Sequence, residues 1–300
     1  MNKDNLSELE KNDIKDLENS KNINIDNVKT VCLMLGPYRN LTTLTASILF
    51  LHPNCQVLNH GASRIYGKKE IDFLDEYEKN KMDRFIQFAI QISGKGKRGK
   101  IGGSITYSHA FDDKHKMKDI YKRASLELIK EDIQCLFWKE SLHTSNIIKK
   151  RKVDLEYIFQ QEKRLKFLLP IRNPLDCAVS NLSTGLISVF EGRNKKSNIF
   201  EAIESILDEI FWFESLKKQF PDRFFYFLEY DLNTDTLLKL KKFLNLSQNE
   251  EWIKNANEAI NLKKGYRHSP EIINFYKNYI KENGSEYPEL SQKLIKFINL

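Results

Sequence analysis

Five short apolar runs interrupt a chain that is otherwise polar, at residues 30–35, 56–59, 135–138, 166–171 and 224–228. Most are continuous rather than alternating. That predicts strands buried on both faces, as in a parallel sheet covered by helices. Between the runs, apolar residues fall at helical spacing. Leu41, Leu44, Ile48 and Leu51 form one such set, and Ile203, Ile206, Leu207, Ile210, Phe211 and Phe213 form a long one after Asn198. Leu237, Leu238, Leu240 and Phe243 form another. The alternation predicts an α/β fold with a central, mostly parallel sheet flanked by helices and doubly wound. No internal repeat is present. No transmembrane segment is expected, because no apolar stretch approaches the roughly 20 residues a bilayer requires.

Composition adds boundaries. A chain of 300 residues accommodates one large domain or two small ones, and 41% hydrophobic residues with 19 Phe supply a core. Residues 1–28 are polar, with four lysines against seven acids, and read as a flexible or partly helical tail. Residues 29–300 read as a single domain. The local charge of −3 in the tail leaves +10 on that domain out of the total of +7, which invites an anionic ligand. Cys32, Cys55, Cys135 and Cys177 are widely spaced and form no CxxC pair, so they read as buried thiols. With no basic-then-apolar leader, the expectation is a reducing, cytoplasmic location. Two stretches read as basic loops: 93–104, with five glycines and four basic residues, and 261–270.

The first run turns directly into a helical pattern through Gly36-Pro37-Tyr38-Arg39-Asn40-Leu41-Thr42-Thr43. A strand that turns abruptly into a helix leaves amides unpaired at the positive end of the helix dipole, which makes an anion site. Arg39 and the two threonines add side-chain donors. The plainer alternative is an ordinary strand-to-helix turn with a threonine cap. A nucleoside-triphosphatase loop is absent, since Gly-Lys-[Ser/Thr] does not occur here. The fourth run ends in Arg172-Asn173-Pro174, where Asn173 fits a helix cap and Pro174 a first helical position. Arg172 and Ser180, eight residues on, meet at one anion only if this turn is tight.

Together these two segments resemble the sulfotransferases that use 3′-phosphoadenosine 5′-phosphosulfate (PAPS). The stretch 36–43 resembles that family's 5′-phosphosulfate loop, with Arg39 at its basic position and Thr42-Thr43 at its threonine pair. Asn40 and Leu41 replace the usual Ser-Gly, and a leucine in place of glycine is expected to crowd the loop. Arg172 to Ser180 is similar to the family's Arg-[Asn/Asp]-Pro-x-Asp-x-x-x-Ser segment, which binds the 3′-phosphate. A weaker echo runs from Phe227 to Asp231. The resemblance implies a P-loop NTPase-like three-layer sandwich, PAPS as sulfuryl donor, no metal, and an acceptor such as a carbohydrate or other hydroxyl compound. The expected donor-binding residues are therefore Gly36, Pro37, Tyr38, Arg39, Asn40, Leu41, Thr42, Thr43, Arg172 and Ser180. Arg267 joins them from the basic loop near the C-terminus.

Sulfuryl transfer is a problem of alignment and of stabilising charge on the leaving oxygen. Arg39 is the first candidate for that charge. Lys139 is the second, since it resembles the lysine of the family's Lys-x-Pro segment, with Ser141 where proline is expected. His60, just after the second run, is the candidate base, with Glu140 and His109 in reserve. Each has a plainer alternative: a solvent-facing lysine for Lys139 and a turn-capping histidine for His60. Two other classes stay open. A nucleotide-dependent kinase of related fold would use the acid that ends 224–229. A non-catalytic nucleotide- or nucleic-acid-binding protein would use the basic charge, although no nucleic-acid motif supports it.

Overall fold

The computed structural model describes residues 7–96, 101–113, 115–262 and 265–299. Among them, one six-stranded sheet is built from β1 (Thr30–Met34), β2 (Cys55–Asn59), β3 (Gly103–Ser104), β4 (Cys135–Lys139), β5 (Leu165–Ile171) and β6 (Phe224–Leu228). The strand order is β3-β2-β4-β1-β5-β6. Every neighbouring pair is parallel except β2 with β3. The helices are α1 (Glu8–Ser20), α2 (Thr42–Phe50), α3 (Ala62–Ile65), α4 (Lys79–Ser93), α5 (Lys116–Arg123), α6 (Leu142–Arg151) and α7 (Leu155–Gln161). They continue with α8 (Pro174–Ser183), α9 (Ile199–Gln219), α10 (Thr234–Phe243), α11 (Glu250–Ala259), α12 (Pro270–Asn283) and α13 (Pro288–Lys296).

The continuous apolar runs follow from burial on both faces. In β1, Val31 and Leu33 join one core with Trp138 and Phe167, while Cys32 and Met34 join the other with Phe137 and Leu168. The sheet is thus the middle of three layers, as the sequence predicts. The chain leaves central β1 for β2 on one side, and β5 lies on the other. Strand order therefore reverses around β1, and ligands of such sheets bind at the carboxyl ends beside the reversal. No helix among the described residues is long and apolar enough to cross a membrane. A groove of about 600 Å³ opens beside Lys29, Lys241 and Lys242, next to the amino end of β1 and so at the other end of that strand.

The polar segment expected to be flexible or partly helical contains α1, capped by Ser7 and Glu10 in a capping box, and this helix is docked. Arg64 of α3 is 4% exposed and holds Asp13 at 2.7 Å and Asp16 at 3.1 Å. These acids are polar in sequence because their partner is a buried cation, not because they face water. The basic stretch 93–104 likewise carries structure. Gly103 and Ser104 form the edge strand β3, and just before it a Cβ on Gly102 would lie 2.5 Å from the Gly61 amide nitrogen. Glycine is needed there for backbone to meet backbone. Lys97, Arg98, Gly99 and Lys100 lie outside the described residues, as do Lys263 and Lys264 of the second basic loop.

Candidate active site

The first corner leaves β1 at Leu35, whose amide still bonds to Leu168. Gly36 turns the chain at φ 85°, and any Cβ there would meet Leu169 at 2.2 Å, so only glycine fits. Its amide donates to Ser145 Oγ of α6 at 2.9 Å. Pro37 is buried, and the Tyr38 carbonyl accepts from Asn181 Nδ2 of α8 at 2.8 Å. Arg39 at φ 61° and Leu41 at φ 56° both adopt the left-handed conformation. Leu41 takes the backbone shape glycine would take and caps α2 through its carbonyl, which accepts from the Thr45 amide at 2.9 Å. No side chain caps the first amides of α2, which belong to Thr42 and Thr43. Such a terminus favours an anion.

The second corner follows β5. Asn173 caps α8 by accepting from the Leu175 amide, and Pro174 opens the helix, as the sequence predicts. The Arg172 side chain is 16% exposed, with Asp176 Oδ2 at 3.6 Å from Nη2 and Glu229 Oε1 at 3.9 Å from Nε. Burial pushes the Glu229 carboxyl above its ordinary value, and its Oε2 accepts from the Asn173 amide at 3.0 Å.

Besides the bond from Asn181 to Tyr38, two more join the corners. Asn40 Oδ1 accepts from the Arg172 amide at 2.6 Å, and Arg39 Nε donates to Ser180 Oγ at 2.9 Å. Asn40 is 1% exposed, and its Nδ2 is a buried donor without a partner. Donors from both strand ends therefore converge in one place.

A third cluster lies at the ends of β2 and β4. Asn59 pairs with Lys139 in the parallel ladder, and His60 continues it by donating its amide to the Lys139 carbonyl. Trp138 Nε1 holds the His60 carbonyl at 2.8 Å. Both side chains thereby face each other, with Lys139 Nζ 3.3 Å from His60 Nε2. Lys139 is 5% exposed, so the solvent-facing alternative is excluded. Burial lowers its amine to about 8, with the Glu140 charge opposing the shift and the Arg39 charge adding to it. Glu140 is buried and sits between two imidazoles. Its Oε1 is 3.2 Å from His143 Nδ1 and 3.9 Å from His60 Nδ1, and Oε2 accepts from the Ala62 amide. Burial acts to raise the Glu140 carboxyl, but its partners outweigh burial and hold it below the ordinary value. Ser141 adopts φ 55°, which proline cannot, so the turn after Lys139 differs from a Lys-x-Pro turn.

The remaining candidates separate. Arg267 is exposed on a segment that docks beside the Arg172 corner, because the Tyr266 amide and His268 Nε2 both reach Asp176. His109 lies in a 3₁₀ turn with its ring 6.3 Å from that of His115. The sequence reading missed the parts played by Asn181, Ser145 and His143, none of which carried a signal. Asn40 was expected at the donor and Asp176 stood inside the Arg172–Ser180 segment, but the partners each makes were not legible.

The chain is similar in fold to three solved sulfotransferases. Mouse sulfotransferase SULT7A1 complexed with PAP matches 95% of this chain and 94% of its own, at 12% identity and TM-score 0.46. The sulfotransferase domain of a Synechococcus olefin synthase matches 83% and 94%, at 11% identity and TM-score 0.38. Sulfotransferase STF9 of Mycobacterium avium matches 91% and 81%, at 11% identity and TM-score 0.42. No family model matches the chain, and no curated protein matches it in sequence.

Proposed function

We propose that this chain transfers a sulfuryl group from PAPS to an acceptor hydroxyl or amine. The observation that carries the reading is the pair of cross-corner bonds, Asn40 to Arg172 and Arg39 to Ser180. They bring two strand-to-helix corners within reach of one nucleotide. The residues suit a carrier charged at both ends. The α2 amides and the unpartnered Asn40 Nδ2 can take one anionic group, and Arg172 with Ser180 the other. A guanidinium with a hydroxyl suits a phosphate, since charge-assisted hydrogen bonds are the strong kind.

The donor supplies the sulfuryl group, and the chain supplies alignment, charge and a proton acceptor. Arg39 and Lys139 supply two cations to this end of the sheet; burial is the chief cause of the depressed Lys139 amine, and the Arg39 charge adds to it. Fixed positive charge of that kind stabilises negative charge that builds on a leaving oxygen. His60 Nε2 takes the acceptor proton. Glu140 sits on the Nδ1 side of that ring, where a carboxylate stabilises the imidazolium that forms.

Calorimetry with adenosine 3′,5′-bisphosphate against ATP–Mg²⁺, followed by a labelled-sulfate transfer assay over an acceptor panel, tests the reading. Bisphosphate binding together with transfer is expected. Binding of ATP–Mg²⁺ alone would reverse it in favour of a kinase, and binding without transfer to any acceptor would leave a nucleotide-binding protein.

A further inference from the structure

Asp176 stands in α8, one helical turn beyond Arg172, and the proposed chemistry assigns it no part. Its side chain is 4% exposed, yet it gathers partners from a segment some ninety residues on as well as from Arg172. Oδ1 accepts from the Tyr266 amide at 2.9 Å and lies 2.9 Å from His268 Nε2. The His268 side chain is 8% exposed, so this contact is sheltered from water. Oδ2 faces Arg172 Nη2 at 3.6 Å. Gly265 completes the joint, because a Cβ there would stand 2.9 Å from Oδ2. Arg267 lies between the two anchored residues and is exposed.

A buried carboxylate costs several kcal/mol of desolvation unless it is paired and hydrogen-bonded. Asp176 meets that condition only when the C-terminal segment is docked. Undocking it would strip the carboxylate of two hydrogen bonds and leave Arg172 as its remaining partner. The guanidinium would then be drawn toward Asp176 and away from any ligand.

We propose that Asp176 and His268 are positioning residues that tie segment 265–268 to the Arg172 corner. In doing so they set the preference for an adenosine that carries a 3′-phosphate, without touching it themselves. The inference rests on the donor reading above, because it assumes that Arg172 faces that phosphate. Docking supports the site twice. It leaves Arg172 free for an anion, and it holds Arg267 over the same corner.

The test compares adenosine 3′,5′-bisphosphate with adenosine 5′-phosphate in the wild type, Asp176→Asn, His268→Ala and the double variant. Calorimetry gives the affinity ratio of the two nucleotides, and hydrogen exchange reports the Tyr266 amide. Each single variant is expected to lower the ratio about tenfold, or about 1.4 kcal/mol. The double variant should lose little more, since both residues act through one joint. Affinity for the monophosphate should stay within about twofold, and the Tyr266 amide should lose protection. If Asp176→Asn fails to fold, His268→Ala gives both readouts alone. A folded variant that keeps the ratio, or that keeps Tyr266 protected, overturns the proposal. A wild type that binds neither nucleotide overturns the donor reading instead, and the exchange measurement still decides whether the joint exists.

Discussion

Burial holds the Lys139 amine near about 8, below its ordinary 10.5. The unfolded chain therefore binds more protons than the folded one between those values, and stability should rise with pH across about 8–10.5. Below that window the folded state carries the full cost of a buried ammonium. Lys139→Met should accordingly be more stable than the wild type at pH 7 by roughly 3 kcal/mol, and should lose the alkaline rise. Urea unfolding at pH 7 and pH 10 checks both, while the same variant should lose transfer by two orders of magnitude or more. If the amine works as a cation, turnover falls as pH rises through about 8. Glu140→Gln removes the charge that raises this amine, so the alkaline limb of the rate profile should move to lower pH. A limb that stays in place would separate Lys139 from the chemistry. Leu41 makes a different kind of prediction. Its left-handed backbone costs about 1–2 kcal/mol in a non-glycine residue, so Leu41→Gly should raise the thermal midpoint without harming nucleotide binding.

At the level of elements, the sequence reading succeeded where one local pattern decides the outcome. The five apolar runs became five strands with ends displaced by at most one residue, because both sheet faces are covered and hydrophobicity alone marks such strands. The cap at Asn173 was legible for the same reason, since capping involves residues two or three apart, and the long helix begins just after Asn198 as its apolar spacing predicts. Strand β3 was not legible: it is two residues long, contains no apolar run, and exists because a glycine backbone fits against Gly61. Helix α1 was not legible as docked, because its acids answer to Arg64 some fifty residues away. That dependence can be measured. Asp13→Ala with Asp16→Ala leaves the Arg64 guanidinium buried without its carboxylates, and loss of a buried partner costs about 3–5 kcal/mol. Urea unfolding should record a loss of that order, and amide exchange over residues 8–20 should quicken. Unchanged exchange there would mean that α1 holds on without its ion pairs.

In the whole molecule, each corner was readable from its own segment, but their proximity was not. The bonds that join them link residues more than 130 positions apart, and no spacing rule connects such positions. The division of labour is testable on this scale. Arg172→Ala should weaken adenosine 3′,5′-bisphosphate about 10–100-fold, as expected for losing a charge-assisted phosphate contact. His60→Ala should leave that affinity in place and slow turnover about 10²–10⁴-fold, the usual worth of a general base. Calorimetry beside steady-state kinetics distinguishes them, and equal losses in both variants would merge the two roles. The four cysteines give the molecule one more property. All are free and none has solvent-accessible surface. Burial also pushes the thiols of Cys32, Cys135 and Cys177 up and away from the reactive thiolate. A thiol-modifying dye should thus be excluded until the fold opens, which turns its colour change into a stopwatch for opening. Any nucleotide that prefers the closed form should slow that stopwatch by a factor of one plus its concentration over its Kd. Nucleotide ligands of this chain can be ranked in that way by the protection each confers.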